Sequence, residues 1–182
     1  MDAFGPLNIT AQSLAEEAGK VQRKLEAGID TLREMDEVHF GVTAREEVWR
    51  DGKTVLYRFV GDKPATAKVP LLVSYALVNR PYMVDLQADR SLVKGLLERG
   101  EDVYIIDWGY PDRSDRFLTM EDYVELGVLD AIGAVGDDAK VKEIHAMGYC
   151  LGGTFLAMAA AGLSRRGGVE GYEHLPSLKT LT

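Results

Sequence analysis

The residues of this sequence best placed to do chemistry are Met147-Gly148-Tyr149-Cys150-Leu151-Gly152-Gly153. They join an apolar run, Val141 to Tyr149, that reads as a strand, to an Ala-, Leu- and Met-rich run, Leu151 to Leu163, that reads as a helix. Gly-x-Cys-x-Gly at a strand-to-helix turn forces its central residue outward, above the carboxyl end of a sheet. Such a turn leaves no room for flanking side chains, which accounts for glycine at 148 and 152. Cys150 then stands at the amino end of the next helix, where unpaired N–H groups and the helix dipole favour an anion. A thiolate is the reactive form of cysteine. The N–H of Leu151 points to where the oxyanion of a tetrahedral intermediate forms. A lone cysteine is more often a small buried hydrophobe. Its position at the third strand-to-helix turn of a parallel pattern favours the nucleophile.

Several elements must hold that turn in place. Residues 11–33 carry Leu14, Ala18, Val21, Leu25, Ile29 and Leu32 at steps of three and four, the pattern of an amphipathic helix that packs on the body or on a partner. Glu46 to Arg50 and Thr54 to Val60 flank Asp51-Gly52, a hairpin turn. Gly61 to Lys68 is a polar loop. From Val69 the texture becomes strand–helix–strand: Leu71 to Ala76 reads as a strand covered on both faces. Ser91 to Arg99 reads as a helix stopped by Gly100, and Val103 to Ile106 as a second buried strand. Thr119 to Asp122 reads as an acidic capping box that opens a helix to about Gly133. After a Gly-rich loop over 164–176, Ser177 to Thr182 begins another strand. The loop after the first buried strand, Leu77 to Tyr82, is where a second oxyanion donor belongs, and the N–H of Val78 is the candidate. Asn79 is placed to brace that loop. The division expected is a helical segment over 1–40 and a partial catalytic domain over 41–182.

Composition narrows the class. At 182 residues the chain has the length of one domain, and its 46% hydrophobic share supports a packed core. A net charge of −8 argues against a nucleic-acid binder. A single cysteine makes no internal disulfide, and the opening Met1-Asp2-Ala3-Phe4-Gly5-Pro6 does not read as a secretory signal. The longest apolar run, Phe155 to Leu163, is too short to be a transmembrane segment. A cytoplasmic location is expected. No metal site and no cofactor is indicated.

Taken together, these residues resemble the catalytic subunit of poly(3-hydroxyalkanoate) synthases, and most closely the class III type. The resemblance spans roughly residues 40–160. It is strongest over Tyr75 to Gln87 and over Gly100 to Asp112, and it includes Val55 to Phe59. It implies an α/β-hydrolase fold, truncated after the nucleophile elbow and its helix. It implies an acyltransferase that polymerises (R)-3-hydroxyacyl-CoA, with 3-hydroxybutyryl-CoA as the natural case, into polyester through a thioester on Cys150. The implied partners are the hydroxyacyl-CoA, the growing polyester, a second synthase subunit and a further copy of the chain, and the implied location extends to the polymer granule surface. The elbow departs from the class III pattern, reading Gly-Tyr-Cys-Leu-Gly-Gly where that class has Gln before the glycine pair. The same six residues occur in dienelactone hydrolases. A cysteine hydrolase of dienelactone or thioesterase type is therefore one alternative, and a non-catalytic protein that binds the synthase or the granule is another.

In this fold the acid and the histidine follow the nucleophile on later loops, and this sequence reads as ending before them. His39 precedes the sheet, His145 reads as a core residue of the nucleophile strand, and His174 lies in a surface loop one unit too early. The 182 residues alone are expected to be an inactive fragment. They are also expected to leave one edge of the nucleophile strand unpaired, an invitation to aggregation.

Overall fold

In the computed structural model, residues 19–22, 24, 41–165 and 170–182 are described. By its contacts the chain divides into two compact units, Met1–Val38 and His39–Thr182. The amphipathic helix expected over 11–33 lies mostly outside the described residues; of its span, residues 19–22 and 24 are helical.

The second unit is built on a six-stranded sheet. An antiparallel hairpin, β1 (Arg45–Asp51) and β2 (Thr54–Phe59), leads into β3 (Leu71–Ser74). A small separate ribbon, β4 (Asp85–Gln87) with β5 (Arg90–Ser91), precedes α1 (Leu92–Glu98) and β6 (Val103–Asp107). Next come α2 (Met120–Asp122), a π-helical continuation Tyr123–Leu129, and α3 (Asp130–Ala139). The chain closes with β7 (Glu143–Gly148), α4 (Leu151–Leu163) and β8 (Ser177–Leu181).

The strand order is β1-β2-β6-β3-β7-β8, with β6, β3, β7 and β8 mutually parallel. From β3 the chain moves one way to β6 and then crosses back over β3 to reach β7. The helices follow that reversal onto opposite faces. On one face α1 packs Val93, Leu96 and Leu97 against Phe59, Val73, Val103 and Ile105. On the other, Val128, Leu129, Ile132, Val135, Phe155 and Leu156 cover Leu72, Tyr104, Ile106 and Ile144. Because both faces are covered, β6 carries apolar residues at successive positions. The reversal at β3 and β7 opens a crevice at their carboxyl ends, where ligands bind in open parallel sheets.

Several local expectations hold for stated reasons. Ser91 caps α1 by accepting the N–H of Lys94. Thr119 and Asp122 exchange hydrogen bonds as a capping box, the backbone N–H of each donating to the side chain of the other. Two expectations are corrected. The helix opened there runs past Gly133 to Ala139 and ends at Lys140, whose φ is 56°. Gly133 and Gly136 are not stops: a Cβ on Gly136 would lie 2.5 Å from Cγ of Pro176, so glycine admits the 175–176 segment against the helix. The nucleophile strand β7 is also not an edge, because β3 and β8 flank it. The strand begun at Ser177 covers the side expected to be open.

Candidate active site

Cys150 joins β7 to α4 with φ 56° and ψ −130°. That is a positive-φ conformation which residues with a β-carbon avoid, so the turn carries strain at its apex. The tight turn is admitted by three glycines. A Cβ on Gly148 would overlap Cα of Gly153, and one on Gly152 would overlap the carbonyl oxygens of Ser74 and Tyr75. The backbone completes the turn: Tyr149 N–H donates to Ser74 O at 3.0 Å, and Gly153 N–H donates to Cys150 O at 3.0 Å. Gly148, Gly152 and Gly153 therefore pack too closely on backbone for side chains. Cys150 is exposed, and Leu151 is the first residue of α4.

The loop after β3 approaches the same place. The buried ring of Tyr75 stacks on that of Tyr149, with centroids 5.1 Å apart and planes 11° from parallel. Burial raises the Tyr75 phenol above its ordinary range, and the nearby Tyr149 and Cys150 add to the shift. Trp108, just beyond β6, donates its indole N–H to Tyr75 O at 3.0 Å. Its ring meets Tyr123 and Phe155 edge-on. The π-helical stretch places Gly127 where a Cβ would lie 2.5 Å from Trp108 Cζ3. Val78 follows in the loop with 78% of its surface exposed, and Asn79 is exposed as well.

The brace of that loop is Arg80, not Asn79. Its guanidinium donates to Gly109 O, lies 3.5 Å from an Asp107 carboxylate oxygen, and stacks 3.5 Å above the Tyr110 ring. Asp107 in turn accepts the N–H of Gly109 at 3.0 Å. On the far side Lys53, from the hairpin turn, holds Asp112 and Asp115 at 2.8 and 2.5 Å. The sequence motif pointed to the turn at Cys150 but to no role for Tyr75, Arg80, Asp107 or Trp108. The signal was their concentration in 75–112, the stretch where the resemblance is strongest.

Neither described histidine joins the site. His145 is half-buried, not a core residue. It lies on β7 with Nδ1 2.7 Å from the Thr180 hydroxyl, because its face of the strand is only partly covered. His174 is exposed, near Trp49 and Asp130. His39 lies outside the described residues. Among the described residues no group of three His, Cys, Asp or Glu side chains could hold a metal ion, and no helix is long and apolar enough to cross a membrane.

The alpha/beta hydrolase fold profile matches residues 70–164, the span that holds β3, the elbow and α4. The chain belongs to the α/β-hydrolase fold family. Within that family it is similar to the poly(3-hydroxyalkanoate) polymerase subunit PhaC of Thiocystis violacea, 43% identical over 159 residues, and to that of Allochromatium vinosum, 42% identical over 160. Each alignment takes in 86% of this chain and 44% of the relative, so the chain spans less than half the length of these relatives. The solved structure of the Francisella virulence factor BioJ superimposes with a TM-score of 0.50 over 85% of this chain and 48% of that one. At 13% identity that likeness is one of fold alone.

Proposed function

We propose that this α/β-hydrolase chain supplies the nucleophile side of a polyhydroxyalkanoate-forming acyltransferase, with Cys150 as the acylated residue. The observation that carries the reading is the strained φ of 56° at Cys150, at a turn whose flanking glycines leave no room for side chains. Similarity to the poly(3-hydroxyalkanoate) polymerase subunits supports an (R)-3-hydroxyacyl-CoA, such as 3-hydroxybutyryl-CoA, as the substrate. The Cys150 thiolate attacks the thioester carbonyl, and the C=O electron pair moves onto oxygen. The N–H groups of Leu151 and Val78 receive that oxyanion. Collapse breaks the old C–S bond, expels CoA thiolate and leaves the acyl group on Cys150. Exchange between two thioesters is nearly balanced in energy, which suits a thiol nucleophile. Chain growth then needs a base to take the proton from an incoming 3-hydroxyl group.

The carboxyl end of the sheet also carries exposed apolar side chains, Val78, Tyr110, Phe117 and Tyr149. They suit a substrate that lengthens into an apolar polyester, and a cytoplasmic protein working at a polymer granule surface, with a second synthase subunit or another copy as partner. In this reading residues 1–40 are a helical segment and 41–182 a partial catalytic domain.

The test is to incubate the chain with 3-hydroxybutyryl-CoA and map the adduct by mass spectrometry. The expected result is one acyl group on Cys150, absent in Cys150→Ala. An adduct elsewhere removes the assignment. Rapid loss of the adduct to water, with no growth in an extended form of the protein, favours the cysteine-hydrolase alternative.

A further inference from the structure

We propose that Arg80 is a positioning residue for the oxyanion-forming loop; this rests on the acyl-transfer reading above. Residues 77–80 are a surface connection with an exposed Val78, and a backbone N–H there can serve as a donor only if the loop is held still. The stacked ring of Tyr75 and its carbonyl, held by Trp108, anchor the loop at its start. At the far end, where the buried Pro81 opens the short turn Pro81–Val84, the Arg80 side chain reaches across to the neighbouring connection. Arg80 closes three contacts with the end of β6 and the segment after it: the Asp107 carboxylate, Gly109 O and the face of Tyr110. Both charged partners are largely buried, with 18% and 16% of their side chains exposed.

The segment Arg80 grips is itself fixed. Gly109 has φ 69°, and a Cβ there would lie 2.6 Å from Lys53 O, so its backbone is wedged against the hairpin. Asp107 holds the Gly109 N–H, and Lys53 holds Asp112 and Asp115. The clamp therefore transmits the position of the hairpin and β6 to the loop on the other side of the crevice. A planar fork that also stacks is specific to arginine, and lysine cannot reproduce both contacts.

The experiment compares two reactions of the same thiol in the full chain. Iodoacetamide alkylates Cys150 by displacement of iodide at carbon and forms no oxyanion. With p-nitrophenyl acetate, thiolate attack forms a tetrahedral oxyanion, then C–O cleavage releases p-nitrophenolate and leaves acetyl-Cys150. A loop displaced by about 1 Å should slow only the second reaction, on the order of ten- to hundredfold. Arg80→Met and Arg80→Lys should both lower the acylation-to-alkylation ratio by that factor. Tyr110→Leu, at an exposed position that should not threaten folding, should lower it severalfold. A ratio within twofold of the unsubstituted chain in all three overturns the proposal. So does a parallel fall in both rates, which marks general unfolding. Failure of the unsubstituted chain to acylate while it alkylates normally would instead remove the acyl-transfer reading, and the proposal with it.

Discussion

Trp108 donates its buried indole N–H to the carbonyl oxygen of Tyr75 at 3.0 Å, across the gap between the loops that leave β6 and β3. Trp108→Phe keeps most of the ring contacts with Tyr123 and Phe155 but strips that carbonyl of its donor. An unsatisfied buried acceptor costs about 1–3 kcal/mol. Urea unfolding should show a loss in that range, with acylation of Cys150 falling further than stability alone explains. Unchanged stability and unchanged acylation would mean the bond holds nothing in place.

Gly152 is expected to tolerate no side chain. The carbonyl oxygens it faces, Ser74 and Tyr75, belong to the end of a central strand and cannot rotate away. Gly152→Ala should cost at least about 1–3 kcal/mol and remove nucleophilic reactivity by shifting α4. A variant that folds with wild-type denaturation midpoint and alkylates normally would show that the elbow relaxes more than its packing suggests.

Cys150 is expected to be held at the expense of stability. Its φ of 56° is one that glycine adopts freely. Cys150→Gly should therefore raise unfolding free energy by about 1 kcal/mol while abolishing acylation. Cys150→Ser should fold like the parent but acylate far more slowly, since serine needs stronger base assistance. Lower stability for Cys150→Gly would indicate that the side chain packs rather than strains.

Much of this was legible in sequence because it follows from local rules. Asp51-Gly52 sets the hairpin, Thr119 and Asp122 cap each other, and the apolar run 71–76 predicts a covered strand. Gly148 and Gly152 place the elbow. What sequence could not show depends on residues far apart in the chain. Arg80 meets Gly109, and Trp108 meets Tyr75, only because β3 and β6 are neighbours. Gly136 looks like a helix breaker until Pro176 is seen against it. The open edge expected of β7 is filled because the short strand Ser177–Leu181 suffices to pair it.

The Lys53 latch gives a pH signature. The Lys53 ammonium beside Asp112, with help from Ser114, holds the Asp112 carboxyl well below its ordinary range, and Lys53 lowers Asp115 as well. Carboxyls depressed in the folded state contribute stability that is present above the unfolded value, about 3.9. That contribution is lost as pH falls through the lower folded values. Carboxyl resonances of Asp112 and Asp115 should titrate below about pH 3.9, and Lys53→Met should move both midpoints upward toward it. The same acidification should loosen the 110–118 loop. Ordinary midpoints in the parent chain would show that the latch is open in solution.

Residues 1–182 by themselves are expected to accept one acyl group and then stop. Attack on the thioester needs only a thiolate and oxyanion donors, which the elbow and the loop after β3 can provide. Growth needs a base near the incoming hydroxyl group, and neither described histidine can reach. His145 lies three residues below the end of β7, about 10 Å from its carboxyl end at the usual rise, with Nδ1 engaged by Thr180. His174 stands exposed beside Trp49, beyond α3. Losing an acid–base partner typically costs a factor on the order of a hundred to ten thousand. CoA release followed with a thiol-detecting reagent should therefore plateau near one equivalent per chain. A longer chain carrying the further sequence of the PhaC relatives should continue past it. Multiple turnovers by the 182 residues alone, abolished in Cys150→Ala, would place a working base within them, and His39→Gln, His145→Gln and His174→Gln would test which histidine it is.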